Sequence, residues 1–310
     1  MNRCPLTYEI IDSGFYSTKG LKKINSRLTD ISILNYSKEE LLKEAAILSE
    51  KLSIEGVQPK LSAILSVAEK TFKFVDKNGL FIIKPQQLLF KHVPENEDLI
   101  MRLAETIKIE VPLHGLIYDK NMELHYFIKR FDRVKRDKKY AVEDFAQLSG
   151  KNRNTKYNSS MEKVCDILDK FCSFPAIEKI KLFKLTLFNY IVGNEDMHLK
   201  NFSILIKDDI VSLSPAYDLL STAIILQQTK EEIALPINGK KNNLTKKDLI
   251  DYFGNKCLKL NDKIVNKVLY EIKSALPLWK KNIENSFLPD NYKQFLNIII
   301  ENRLNKLGVL

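Results

Sequence analysis

Leu41, Leu42, Ala45, Ala46 and Leu48 recur at three- and four-residue steps, so residues 38–51 predict a helix with one apolar side. The period then changes. Residues 61–67, 72–75 and 80–84 are short runs rich in aromatic and β-branched side chains, the pattern of strands. Asp76-Lys77-Asn78-Gly79, separating the second run from the third, reads as a hairpin turn. Asn96 is placed to cap a helix running to Ile107, in which Leu99, Ile100, Leu103, Ala104 and Ile107 share a face. Residues 111–117 and 124–128 predict two more strands. Beyond Arg133 the helical period dominates, most clearly over 143–148, 161–171 and 177–191. One more hairpin interrupts it, with strands at 202–206 and 210–213 joined by Lys207-Asp208-Asp209, and the final third to Leu310 is helical again. A sheet with one helix in front and mostly helices behind predicts an α+β chain.

Composition narrows the classes. In 310 residues, 45% hydrophobic and 28% charged, there is material for an ordinary globular core. The formal charge is +10. A polyanionic partner is one reading of that excess. A lysine-coated surface is the other, and no basic run is long enough to form a dedicated patch. Cys4, Cys165, Cys172 and Cys257 are scattered without a CxxC pair, as expected in a reducing compartment without disulfides. His92, His114, His125 and His198 have no metal-ligand spacing. Residues 1–10 lack the apolar stretch of a signal peptide, and 182–192, the most apolar segment, is short and contains Lys184. The expectation is a cytoplasmic protein with no membrane association, with export into another cell as the open alternative.

The chemistry concentrates in Gly193-Asn194-Glu195-Asp196-Met197-His198-Leu199-Lys200-Asn201-Phe202, entered from an apolar helix and left by a strand. Asp196 and Asn201 stand in the D-x-x-x-x-N spacing of a phosphotransferase loop. That reaction needs a carboxylate to take the acceptor hydroxyl's proton and oxygen ligands for Mg²⁺. Asp196 fits the first need and Asn201 the second. Asp218, in Pro215-Ala216-Tyr217-Asp218-Leu219-Leu220 just past the hairpin, stands where a second metal-binding carboxylate belongs, although Leu219-Leu220 replaces the Phe-Gly of D-F-G. Asp and Asn are also common turn residues; it is the hairpin and second Asp that favour the chemical reading. Lys84, closing its strand, can bind phosphates, with Glu97 early in the next helix as its ion-pair partner; an ordinary strand-end lysine is the plain alternative. Ser53 to Lys60 would be a phosphate loop, with Gly56 its single glycine, or simply a turn. The element order and these residues together predict a bilobal protein-kinase-like fold, with a small β-rich N-terminal lobe (1–128) and a larger, mainly helical C-terminal lobe (129–310).

Gly56-Val57-Gln58-Pro59-Lys60, Phe81-Ile82-Ile83-Lys84-Pro85, Glu95-Asn96-Glu97, Val111-Pro112-Leu113-His114-Gly115, Arg130-Phe131-Asp132-Arg133, Asn194 through Ser203 and Ala216-Tyr217-Asp218 together resemble the HipA-type toxin kinases. The brevity of the chain before the loop, with Cys4-Pro5 and Tyr16-Ser17-Thr18-Lys19-Gly20-Leu21-Lys22, resembles the short HipT form. The resemblance implies a HipA-like fold, ATP and Mg²⁺, Asp196 as base, and Asn201 and Asp218 as metal ligands. It implies Lys84 as the phosphate-binding lysine, with Glu55, Gly56, Val57, Gln58, Pro59 and Lys60 as nucleotide loop. Lys129, Arg130 and Phe131 would lie beside adenine, and Tyr217 beside the nucleotide. Lys200 would neutralise the moving phosphoryl charge, and His198 would line the loop or be a packed core histidine. Ser53 falls at the family's self-phosphorylation position, where Glu55 replaces a second serine. Implied partners are a protein substrate such as an aminoacyl-tRNA synthetase, a small HipS-like protein and a helix-turn-helix HipB-like antitoxin, with DNA reached only through the antitoxin.

Three functions compete. The first is an active serine/threonine kinase. The second is a catalytically weak kinase-fold component that acts by binding its toxin–antitoxin partners. The third is a nucleic-acid-binding protein explained by charge. The intact set of Lys84, Asp196, Asn201 and Asp218 favours the first.

Overall fold

The computed structural model describes residues 2–48, 59–135, 138–227 and 231–310. The chain divides into two compact units that alternate along the sequence. One comprises Met1–Leu99, Pro112–Lys139 and Asn282–Leu288, and the other Ile100–Val111, Tyr140–Lys281 and Pro289–Leu310.

The first unit opens with a ribbon of β1 (Asn2–Arg3) and β2 (Ile10–Ile11), followed by α1 (Thr18–Ile24). Ser17 caps α1, its hydroxyl accepting from the Gly20 N–H at 3.1 Å. The expected amphipathic helix is α2 (Lys38–Leu48). Then come β3 (Leu61–Ser66), β4 (Thr71–Phe74), β5 (Phe81–Lys84), the start of α3 (Val93–Thr106), β6 (His114–Tyr118) and β7 (Leu124–Lys129). The five strands pair antiparallel in the order β4-β3-β5-β7-β6. Inward positions carry Leu61, Ala63, Phe72, Phe81, Ile83 and Phe127, buried against Leu21, Leu28 and Leu41. Phe72 lies 5.1 Å from Phe81 and 5.3 Å from Phe127 between ring centroids.

Two expectations are corrected here. Asp76–Gly79 is not a hairpin turn, because β4 and β5 both pair with β3, on its opposite edges. The connection crosses β3 instead. The Val75 N–H donates to Ser62 O and the Leu80 N–H to Ala63 O, both at 2.9 Å. Gly79 makes the crossing possible, since a Cβ there would stand 2.1 Å from Ser62 Oγ and 2.8 Å from Ala63 N. Nor does Asn96 cap α3. The helix starts three residues earlier, its first bond running from the Asn96 N–H to His92 O, and Asn96 is fully buried. Pro94 fits that first turn because the N–H it lacks would have no helical partner.

The second unit holds β8 (Ala141–Asp144), α4 (Phe145–Leu148), α5 (Met161–Phe171), α6 (Pro175–Val192), β9 (Ser203–Lys207), β10 (Ile210–Leu213) and α7 (Thr222–Leu226). A π-helical stretch (Lys247–Cys257) precedes α8 (Asp262–Asn285) and α9 (Asp290–Leu307). The β9–β10 hairpin forms as expected, turning through Asp208 and Asp209, both at positive φ. It gains β8 as a third strand, so 143–148 is helical only from Phe145: Asp144 ends β8 and caps α4 by accepting from the Gln147 N–H at 2.9 Å. α6 is the centre of this unit, with Leu182, Phe183, Leu187, Phe188, Tyr190, Ile191 and Val192 buried on all its sides. Trp279 of α8 meets Phe188 edge-on and donates to Thr106 Oγ1 at 2.6 Å. Among the described residues no helix is long and apolar enough to cross a membrane.

Candidate active site

α6 ends at Gly193, whose φ of 75° and ψ of 37° turn the chain sharply out of the helix. The next residues are clamped from several sides. The Glu195 N–H donates to Thr222 Oγ1 at 2.8 Å, and the Glu195 carboxylate pairs with Arg303 of α9 at 2.9 Å. Arg303 also donates to Tyr190 O at 2.5 Å, tying the end of α6 to the same guanidinium. Asp196 follows. Its backbone carbonyl accepts from the His198 N–H at 2.9 Å and from Asn201 Nδ2 at 3.0 Å. Asn201 is thereby locked to Asp196 across the five-residue spacing read from the sequence. With its amide nitrogen committed, its side-chain oxygen is the atom left to meet a cation. The Asp196 carboxylate accepts the Tyr157 hydroxyl at Oδ1.

His198 is buried, edge-on to the Tyr157 ring at 5.0 Å. Burial lowers its pKa below the usual histidine value, against the opposing pull of Asp196 and Asp218, so it is neutral at pH 7. Asp218 follows β10 with φ at 54°, a conformation few non-glycine residues adopt and one found at functional sites. Tyr217 fixes it. The phenol donates to Lys200 O at 3.0 Å and therefore accepts from Ser203 Oγ at 2.5 Å. Burial raises its pKa and keeps it protonated. Tyr217 thus acts here as a peg joining the strand to the loop. Lys200 turns toward β8, pairing with Asp144 at 2.8 Å, so this placement does not supply the expected cation for a moving phosphoryl group.

Lys156, in the loop between α4 and α5, has its Nζ 5.0 Å from the centroid of the Tyr157 ring, and burial lowers its pKa. Neither Lys156 nor Tyr157 was found by sequence reasoning, because they fall in a polar loop with no period and no motif. The pair Asn201 and Asp218 suits Mg²⁺, which usually takes one or two protein oxygens and fills its shell with phosphate and water. No cluster of three or more His, Cys, Asp or Glu side chains suited to a metal occurs among the described residues.

In the first unit, Lys84 and Glu97 come together as expected. Lys84 Nζ is 2.5 Å from Glu97 Oε1, with the two side chains 2% and 1% exposed, and it lies over the Tyr126 ring at 5.4 Å. The segments beside both partners are bonded in turn. The Gln86 N–H donates to His125 Nδ1 at 3.0 Å, which places the His125 proton on Nε2 facing Asp119, 3.1 Å away. Asp98, next to Glu97, accepts from Tyr8 Oη at 2.7 Å and meets His114 Nδ1 at 2.9 Å. Arg130 is held by both oxygens of Asp132, Lys129 is exposed and Phe131 half-buried. Of the expected nucleotide loop, Pro59 is half-buried and Lys60 exposed. Ser53, Glu55, Gly56, Val57 and Gln58 lie outside the described residues.

A family model described as the HipA-like C-terminal domain matches residues 52–279. The serine/threonine-protein kinase toxin HipA of Shewanella oneidensis is 25% identical over 209 residues, 61% of this chain and 47% of that protein. A chain of the Shewanella oneidensis MR-1 complex of HipA, HipB and operator DNA aligns with TM-score 0.69 and 21% identity, over 91% of this chain and 73% of that one. The Helicobacter pylori proinflammatory kinase CtkA aligns with TM-score 0.55 and 18% identity, over 84% and 92%. These two likenesses show a shared α+β, kinase-like fold. The chain spans from about half to about two thirds of the length of the curated relatives it matches.

Proposed function

This chain belongs to the HipA-like C-terminal domain family, and from that membership we propose that it is an ATP- and Mg²⁺-dependent serine/threonine kinase, the toxin of a toxin–antitoxin pair. The observation that carries the proposal is the lock between Asp196 and Asn201, made by an Asn201 Nδ2 bond to the Asp196 carbonyl and braced through Glu195 by Arg303. A turn selected only for shape has no need of so many fixed points around one half-buried carboxylate.

In this reading Asp196 accepts the proton of a substrate hydroxyl, whose oxygen attacks the γ-phosphorus of ATP. The bond to the β-phosphate oxygen breaks and ADP leaves. Asn201 and Asp218 would hold Mg²⁺, which when bound neutralises phosphate charge and fixes the phosphates in place. Lys84, held by Glu97, is the phosphate-binding lysine. Tyr217 acts on Asp218 and the loop rather than on the nucleotide.

The finer assignments rest on the same family membership. The acceptor is a protein serine or threonine, with an aminoacyl-tRNA synthetase as the class to test and Ser53 as a site of self-modification. A HipB-like antitoxin is the proposed partner, suggested by the HipA–HipB–operator complex whose fold this chain shares. DNA is reached through that partner, a HipS-like protein is proposed beside it, and the site of action is the cytoplasm.

The test is transfer of labelled γ-phosphate in the presence of Mg²⁺, with wild type against Asp196→Asn. A positioned general base supplies roughly 10²- to 10⁴-fold. The variant should lose that much turnover while still binding ATP. Equal labelling by the two proteins would remove Asp196 from the mechanism.

A further inference from the structure

Lys156 and Tyr157 lie in the twelve residues, 149–160, linking α4 to α5. This linker is built to hold a shape. The Lys151 N–H donates to Ala146 O at 2.7 Å, and Asn152 Oδ1 accepts from the Asn154 and Thr155 N–H groups at 2.9 and 3.2 Å. It is stitched to the 193–202 loop by the Leu199 N–H, which donates to Lys156 O at 3.3 Å. From that position the Tyr157 hydroxyl donates to Asp196 Oδ1, the ring meets His198 edge-on, and Lys156 Nζ lies 5.0 Å from the ring centroid. Asp196 thus has one carboxylate oxygen engaged by a neutral donor, while among the described residues no hydrogen bond is made to the other.

Building on the kinase reading above, we propose that Tyr157 is a positioning residue, which fixes the Asp196 carboxylate through Oδ1 so that Oδ2 takes the acceptor's proton. A phenol suits that role. It donates one hydrogen bond without adding charge, and burial together with the bond to Asp196 raises its pKa, so it stays protonated wherever the kinase works. The charged and titratable groups around Tyr157 are Asp196, Glu231, Lys156 and His198.

The experiment uses the full chain. Tyr157→Phe should lower kcat about tenfold, the worth of one well-placed hydrogen bond, and leave the KM for ATP unchanged. Thermal melts of the variant separate this loss from unfolding. A Tyr157→Phe enzyme with wild-type or higher kcat would show an incidental contact or a plug and overturn the proposal. The contact is read independently of turnover by ultraviolet titration of tyrosinate. Asp196→Asn should bring one tyrosine down to a lower titration pH, and the difference should vanish when Tyr157→Phe is added. If it persists in the double variant, the Tyr157–Asp196 bond is absent. A wild type that binds ATP, shows this titration and transfers no phosphate overturns the kinase reading and leaves the contact standing.

Discussion

Lys84 and Glu97 are an extreme case of what burial does to charge. Each is nearly inaccessible, and the 2.5 Å ion pair between them offsets part of the hydration each has lost. Lys84→Met alone should therefore cost about 3–5 kcal/mol, because Glu97 stays buried without its cation. Adding Glu97→Leu should return most of that stability while leaving nucleotide binding weak. Urea denaturation of the single and double variants, with ATP titration of the double, checks both halves; a double variant as unstable as the single would show that the pair is not energetically coupled. This pair was legible because a lysine closing a strand and a glutamate opening the next helix are each visible in the chain. The bonds made by the residues beside it were not. Asp98, His114, His125 and Asp119 act through bonds spanning up to 90 positions of sequence, as Tyr8 to Asp98 does. The same holds for Tyr157, whose identity carries no sign of the carboxylate it meets 39 positions later.

At the scale of elements, the periods located the longer helices and the strands from β3 to β7, missed the short elements β1, β2, α1, β8 and α7, and failed where one residue's role depended on a neighbour in space. Asp76–Gly79 has the composition of a hairpin turn, yet the bonds to Ser62 and Ala63 send it across β3. The segment 143–148 keeps a helical pattern although Glu143 and Asp144 pair with Ile204 and Ser203. Gly193 shows the reverse, a local signal with consequences well beyond it. Its positive φ ends α6, and a Cβ there would stand 2.9 Å from the Ala223 Cβ and 3.1 Å from Ser221 Oγ. Gly193→Ala should pay about 1–2 kcal/mol for the left-handed backbone and a further 1–3 for overpacking. The shift would fall on Thr222, which holds the Glu195 N–H, and so on Asp196 two bonds away. Thermal denaturation should show a melting temperature lower by several degrees, and phosphate transfer should fall further than the loss of folded protein explains. Unchanged turnover in the folded fraction would separate the α7 contact from the site.

For the whole molecule, the order of elements was enough to predict an α+β chain with sheet first and helices after. What element order does not carry is which unit each segment joins, because that follows from who buries whom. Residues 100–111, in the middle of the strand-rich region, belong to the helical unit. Their bonds say why. Thr106 accepts from Trp279, a side chain only 1% exposed, and Ile107 O accepts from Lys184, which is also paired with Glu271 at 2.5 Å. The Ala216 N–H, two residues before Asp218, donates to Glu110 O at 2.8 Å. A fragment of residues 140–310 contains nearly all of the helical unit but loses every one of these partners. It uncovers Trp279 and leaves the indole N–H and the Ala216 N–H without acceptors, each costing about 1–3 kcal/mol if it remains buried. Against a domain stability of about 5–15 kcal/mol, those losses and the apolar surface exposed with them are large. The fragment should show helical far-ultraviolet circular dichroism, a weak near-ultraviolet signal and broad melting, with strong binding of a hydrophobic dye. Extending it to residues 93–310 restores α3 and should recover a sharp transition. Cooperative melting of the shorter fragment would mean that 100–111 is an accessory of the helical unit and not part of its core.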